Sequence, residues 1–181
     1  MGGEEWRDLL SEYFNELDDH VVSVIHNGKV GDSCFAATML TCGAIDSLGR
    51  LVAPHELRKH AGQRFKYILQ EYFPAPYGRE KDALWNVRND LMHNALNVAC
   101  FLAATQDPDA HYGHLDLVSG TEYLFIDTGA FFEDLVAAIE SIKACLADPV
   151  DGQRAAGHLE EAYTPWEGPT TAPPLVMLRQ V

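Results

Sequence analysis

Apolar residues recur at three- and four-residue spacing through most of the first hundred positions, and that period admits little except helices packed on one another. In residues 4–26 the stripe is Trp6, Leu9, Leu10, Tyr13, Leu17, Val21, Val24 and Ile25, and the Asn27-Gly28 pair stops it. A second helix starts at Asp32 or Ser33, either a suitable N-cap. It runs to about Leu51 through Phe35, Met39, Ile45 and Leu48, and Pro54 closes it. A third covers about 55–73, with Leu57, Ala61, Phe65, Ile68 and Tyr72 on one face. The stretch Phe73 to Gly78 holds two prolines and reads as a break. A fourth helix starts near Arg79 and continues to about Asn97 or beyond, with Leu84, Val87, Leu91, Ala95 and Val98 on its apolar face.

The period then shortens. Residues 112–118 and 121–127 alternate around Ser119-Gly120, a hairpin signal. In that register Leu115, Leu117, Leu124 and Ile126 share a face. A fifth helix follows at about 129–147, carrying Phe131, Leu135, Ala138, Ile142 and Leu146, and Asp148-Pro149 ends it. Residues 149–181 hold five of the nine prolines and read as an irregular C-terminal arm. Its Trp166, Leu175, Val176, Met177 and Leu178 suggest packing along the body or on a partner subunit. The expected fold is therefore mainly α. Residues 1–148 form a four- to five-helix bundle with one small hairpin at about 112–127, and the Pro-rich arm 149–181 follows.

A chain of 181 residues, 47% of them apolar, can form one core without metal or disulfide staples. Four cysteines (Cys34, Cys42, Cys100, Cys145) lie scattered in apolar surroundings with no metal-knuckle spacing. The start MGGEEWRDLL is acidic and lacks an apolar core, and the longest purely apolar run, Val98 to Ala104, is too short to span a bilayer. A cytoplasmic protein with reduced thiols, no membrane contact and no cofactor is the expectation.

The formal charge of −14 opposes broad binding of a phosphate backbone. It is uneven, however. Residues 50–88 hold eight basic residues against four acidic ones, so that window is +4 and the remainder −18. Either these are ordinary solvated helix faces, or a cationic site sits within an anionic body.

Several motifs are set aside. His55-Glu56-Leu57-Arg58-Lys59-His60 places its histidines five apart, about 140° from each other on a helix, which does not suit a zinc site. The loop from Asp107 to Asp116 matches no metal spacing. No dinucleotide, P-loop or serine-elbow pattern occurs, and Gly31-Asp32-Ser33 is explained by N-capping.

What remains lies on the fourth helix: Asn86, Arg88, Asn89, Asp90, His93, Asn94 and Asn97. Asparagine is a mediocre helix former, so local propensity does not explain this cluster. Asn86, Asn89 or Asp90, His93 and Asn97 follow the helical repeat as a polar stripe, with Arg88 on its flank. The hexapeptide Arg88-Asn89-Asp90-Leu91-Met92-His93 resembles the R-x4–6-H motif of the HEPN superfamily, in which the residue after the arginine is commonly Asn, Asp or His. The preceding aromatic helix, the Tyr-Phe-Pro break and Leu84-Trp85 also resemble uncharacterised bacterial HEPN-like proteins.

The resemblance implies a helical bundle and a metal-independent endoribonuclease, in a toxin or defence role, with two motifs meeting at a homodimer interface. An antitoxin or other protein partner would fit such a role. In this reading His93 exchanges protons, Arg88 steadies the phosphate oxygens, and Asn89 orients the imidazole or the substrate. Arg50, Arg58, Lys59 and Arg64 would hold a short single-stranded RNA. The alternative is a non-catalytic dimeric scaffold or binding module. There Arg88 is the buried ion-pair mate of Asp46, and His93 is a hydrogen-bonded core or interface residue.

Overall fold

The helices foreseen from the apolar period are present, with informative differences at their ends. The computed structural model describes residues 5–29, 33–93, 100–103, 112–118, 120–121 and 123–163. The first helix comprises α1 (Glu5–Leu17), a π-helical turn (Asp18–Val22) and α2 (Ser23–His26). Gly28 follows at φ +64°, a left-handed conformation that glycine adopts without steric cost. α3 (Cys34–Val52) starts as expected at Ser33, whose hydroxyl accepts from the Ala36 N–H at 3.2 Å.

The expected third helix is two. α4 (His55–Arg58) is a single turn, and α5 (Ala61–Glu71) restarts after Lys59-His60. The expected break at 73–78 is shorter than the two prolines suggested. α6 (Ala75–His93) begins inside it, with Pro76 in the first turn, where no intrahelical N–H is needed. Its foreseen extension to Asn97 lies outside the described residues.

The hairpin expectation is met in part. Leu115 N–H donates to the Phe125 carbonyl, and Phe125 N–H donates to the Asp116 carbonyl, both at 2.8 Å. Two residues thus oppose one, and Leu115 sits at φ +66°, the arrangement of a β-bulge. The extra residue reverses the alternation. Leu115, Leu124 and Ile126 are buried, but Leu117 is 59% exposed, contrary to the shared face expected of it. The alternation also gave no sign that β2 (Leu124–Asp127) pairs in parallel with β1 (Cys100–Ala103).

Asp127 then caps α7 (Thr128–Leu146), accepting from the Gly129 and Ala130 N–H groups. The first part of the supposed irregular arm is a helix, α8 (Pro149–Tyr163), which corrects that expectation. Pro149 starts it, because proline at the first helical position sacrifices no hydrogen bond. α8 packs on α1 through Ala155, Ala156 and Leu159, all buried. Residues 164–181 lie outside the described residues.

α3 is the central helix and touches α5, α6, α7 and α8. It is also long and apolar enough to cross a bilayer by length and composition, but more than half of it is buried inside this bundle. Ile45, Leu48 and Leu51 of α3 meet Phe65, Ile68 and Leu69 of α5 and Phe131, Leu135 and Ile142 of α7 in one core. Each such buried side chain contributes about 1.5–3 kcal/mol. Gly49 brings α5 close to α3: a Cβ there would lie 3.1 Å from the Arg64 Cβ and carbonyl. That approach positions Arg64 for the site below.

Candidate functional site

α3 ends nearly two turns after Asp46 and delivers Arg50 to its last turn. Pro54 turns the chain, α4 supplies His55 and Arg58, Lys59 follows, and α5 brings Arg64 back. α8 crosses the same corner with His158 and Glu161. These seven residues line one cavity of about 360 Å³. The four basic residues expected to hold a ligand are thereby gathered, although they span fifteen positions from α3 to α5.

Their states differ. Arg50 and Lys59 are exposed, and neither has an acidic partner among the described residues. Arg58 is half-buried: its Nη1 meets Glu161 Oε2 at 3.3 Å, and its Nη2 donates to His55 Nδ1 at 2.5 Å. Its buried Nε–H has no acceptor among the described residues. Arg64 forms wall and not grip, which narrows its expected role. It is 6% exposed, its Nε donates to Asp46 Oδ1 at 2.9 Å, and its Nη1 donates to the Arg58 carbonyl at 2.9 Å.

The histidines of the pocket are the residues the sequence reading missed. The sequence around His55 offers only the unsuitable zinc spacing, and His158 lies 107 positions from its partner Leu51, beyond any local pattern. Its Nδ1 sits 2.7 Å from the Leu51 carbonyl, so Nδ1–H donates there and Nε2 is the acceptor of the neutral ring. That carbonyl is free because it belongs to the last turn of α3. Burial, then Arg58 and Arg154, lower the pKa of His158; the Leu51 carbonyl and Glu161 oppose them. Donation from Arg58 makes His55 Nδ1 an acceptor, which leaves its Nε2–H as a donor.

The R-x4-H residues are distributed otherwise. Arg88 Nη2 donates to Asp46 Oδ2 at 3.0 Å, and its Nη1 donates to Asn89 Oδ1 at 3.2 Å. Its guanidinium lies over the Trp85 ring, 5.1 Å from the centroid. Asp46 therefore binds two arginines, one on each oxygen, and these three side chains are 8–15% exposed. The foreseen Arg88–Asp46 pair is present, with Arg64 as an unforeseen third member. Asn89, expected to orient His93 or the substrate, accepts from Arg88. His93 is exposed at the end of α6, and neither it nor Arg88 lines the cationic pocket.

Elsewhere, His114 joins the loop to the bundle. Asp127 N–H donates to its Nδ1 at 3.0 Å, so its Nε2–H donates to Tyr77 Oη, which donates on to Asp134 at 2.7 Å. Both ring nitrogens of His114 and the Tyr77 hydroxyl are thereby paired within the protein. Among the described residues, no group of three or more His, Cys, Asp or Glu side chains converges as a metal site.

In comparisons with known proteins, the chain matched no family model, no curated protein and no solved structure.

Proposed function

We propose that this chain is a helical binding module for a phosphate-bearing ligand, short single-stranded RNA being the class in view, and that Arg88 serves it structurally. The observation that carries this reading is the convergence of Arg50, Arg58, Lys59 and Arg64 on one cavity. Guanidinium forks and an ammonium group suit phosphate oxygens. Arg88 and Asp46 hold Arg64, and through its Nη1 bond Arg64 holds the backbone at Arg58. The motif arginine thus steadies the pocket floor and does not enter it.

Fluorescence anisotropy with a short single-stranded RNA tests the proposal. Arg50→Gln and Lys59→Gln should each weaken binding by roughly tenfold or more. His93→Ala should leave it unchanged. Binding that depends on His93 and ignores Arg50 and Lys59 contradicts the reading.

A HEPN-type ribonuclease acting across a homodimer is the second reading, and the exposure of His93 favours it. Its neighbour Met92 is 44% exposed and borders an apolar groove with Val21, Met39 and Leu40, a surface suited to a second copy. RNA cleavage in EDTA that is lost in both His93→Ala and Arg88→Ala would support this reading. Light scattering would then give about twice 20.1 kDa.

A further inference from the structure

We infer that the pocket is specific for a phosphomonoester, a terminal dianionic phosphate, which enters by displacing Glu161 from Arg58. This rests on the phosphate-binding reading above and names the ligand class of that same site.

The first support is charge. Among the described residues, Glu161 is the only acidic one lining the cavity, and Asp46 already neutralises the Arg64 wall. Glu161 is 66% exposed, and its contact with Arg58 is a single 3.3 Å approach. Such exposed pairs are weak and screened by salt. Once Glu161 swings away, Arg50, Arg58 and Lys59 line the cavity without an acidic counterpart among the described residues. Three cations match a monoester, with three non-bridging oxygens and a charge near −2 at pH 7, better than a diester with two such oxygens and one charge.

The second support is size and surroundings. About 360 Å³ lies at the small end of ligand pockets, which run from about 300 to 1,000 Å³. It has room for a phosphate head and an adjoining unit. Outside residues 50–88 the chain carries −18, so each further phosphate of a long chain meets repulsion, whereas one end does not.

The third support is His158. With Nδ1–H held by Leu51, its Nε2 is the ring's free nitrogen. The charged groups around the ring are Arg58 on α4 and Arg154 and Glu161 on α8, with Arg50, Lys59, Arg64 and His55 completing the cavity. Exchanging the Glu161 carboxylate for a phosphate dianion adds negative charge beside the imidazole, which favours its protonated form. The depressed pKa of the free protein means the ring starts neutral, so ligand entry takes up a proton.

Calorimetry on the full chain tests this with four probes: a short RNA bearing a 5′-phosphate, the same RNA with a 5′-hydroxyl, a nucleoside 5′-monophosphate and inorganic phosphate. The 5′-phosphorylated RNA should bind at least roughly tenfold tighter than its hydroxyl form. Glu161→Gln should tighten it severalfold. The binding heat should vary with the buffer's ionisation enthalpy, and the proton uptake that this reports should be smaller in His158→Asn; the same uptake in the variant overturns the role of His158. If the nucleotide or free phosphate binds as well as the RNA end, a small molecule is the source of the monoester; if only the RNA end binds, the source is RNA. Equal affinity for both RNAs overturns the monoester specificity and leaves phosphate binding standing. Weaker binding by Glu161→Gln, with a native circular dichroism spectrum, overturns the displacement. No binding of any probe overturns both the inference and the reading beneath it.

Discussion

Asp46 accepts from Arg64 and Arg88, and the three side chains are nearly sealed from water. Removing one member of a buried ionic group costs about 3–5 kcal/mol, because the others stay charged without a partner. Asp46→Leu should lose that much stability in urea unfolding. Arg88→Met should lose less, since Asp46 keeps Arg64. An Arg88→Met protein as stable as wild type would show that Arg88 is spared for chemistry. The sequence made this pair legible, because a carboxylate between Ala44-Ile45 and Leu48 needs a cation. It did not reveal Arg64, whose approach depends on the close crossing at Gly49. The cysteines divide similarly. Burial raises the Cys42 thiol to about 12 and Cys100 to about 11, whereas Cys145 is exposed, contrary to the apolar setting expected for it. Thiolate is the reactive form, so alkylation at pH 8 followed by peptide mass analysis should find Cys145 modified well before Cys42. Equal rates would mean that the α3 core opens readily.

Among the elements, α8 best shows what local pattern conveys and what it conceals. Its prolines suggested irregularity, yet only Pro149 falls inside the helix, at its start. The docking of α8 depends on Gly152: a Cβ there would collide with the Trp6 ring and lie 2.6 Å from the Leu146 carbonyl. Gly152→Ala should therefore destabilise by about 1–3 kcal/mol, as overpacking does. Gly157, on the same helix with nothing within 4 Å, is the control. Gly157→Ala should stabilise by about 0.5–1 kcal/mol. Thermal melts of both variants check the pair, and similar shifts would contradict the packing of α8 on α1. The bulge at Leu115 was illegible for a different reason. Alternation locates a strand's faces only while the count stays at one residue opposite one, and the inserted residue turned Leu117 outward. The helices were legible because their apolar stripes run three to five turns, with Ser33 and Asp127 as caps.

For the whole molecule, acid should be destabilising. Burial lowers the pKa of His114, against Asp127 and Asp134, and His158 is lowered as described. Both rings are neutral when folded, and the unfolded chain binds their protons near pH 6.5. The stability they contribute is thus complete above about pH 6.5 and is lost as pH falls from there through the folded pKa values. Melting temperatures between pH 7.5 and 5.5 should fall, and fall less in His114→Asn. A rise on acidification would contradict the neutral tautomers assigned from the hydrogen bonds. Charge at this scale also sharpens the function. The formal charge of −14 opposes binding of long polyanions, while folding draws residues distant in sequence into one cationic recess. The basic side of that recess was legible as a cluster at 50–64. His158 and Glu161 were not, since α8 brings them to the recess only through tertiary packing. The most direct test of the central claim is the histidine side-chain NMR spectrum during titration with 5′-phosphorylated short RNA. His55 and His158 should shift together while His93 stays in place. A shift of His93 alone, with His55 and His158 unmoved, would contradict the account.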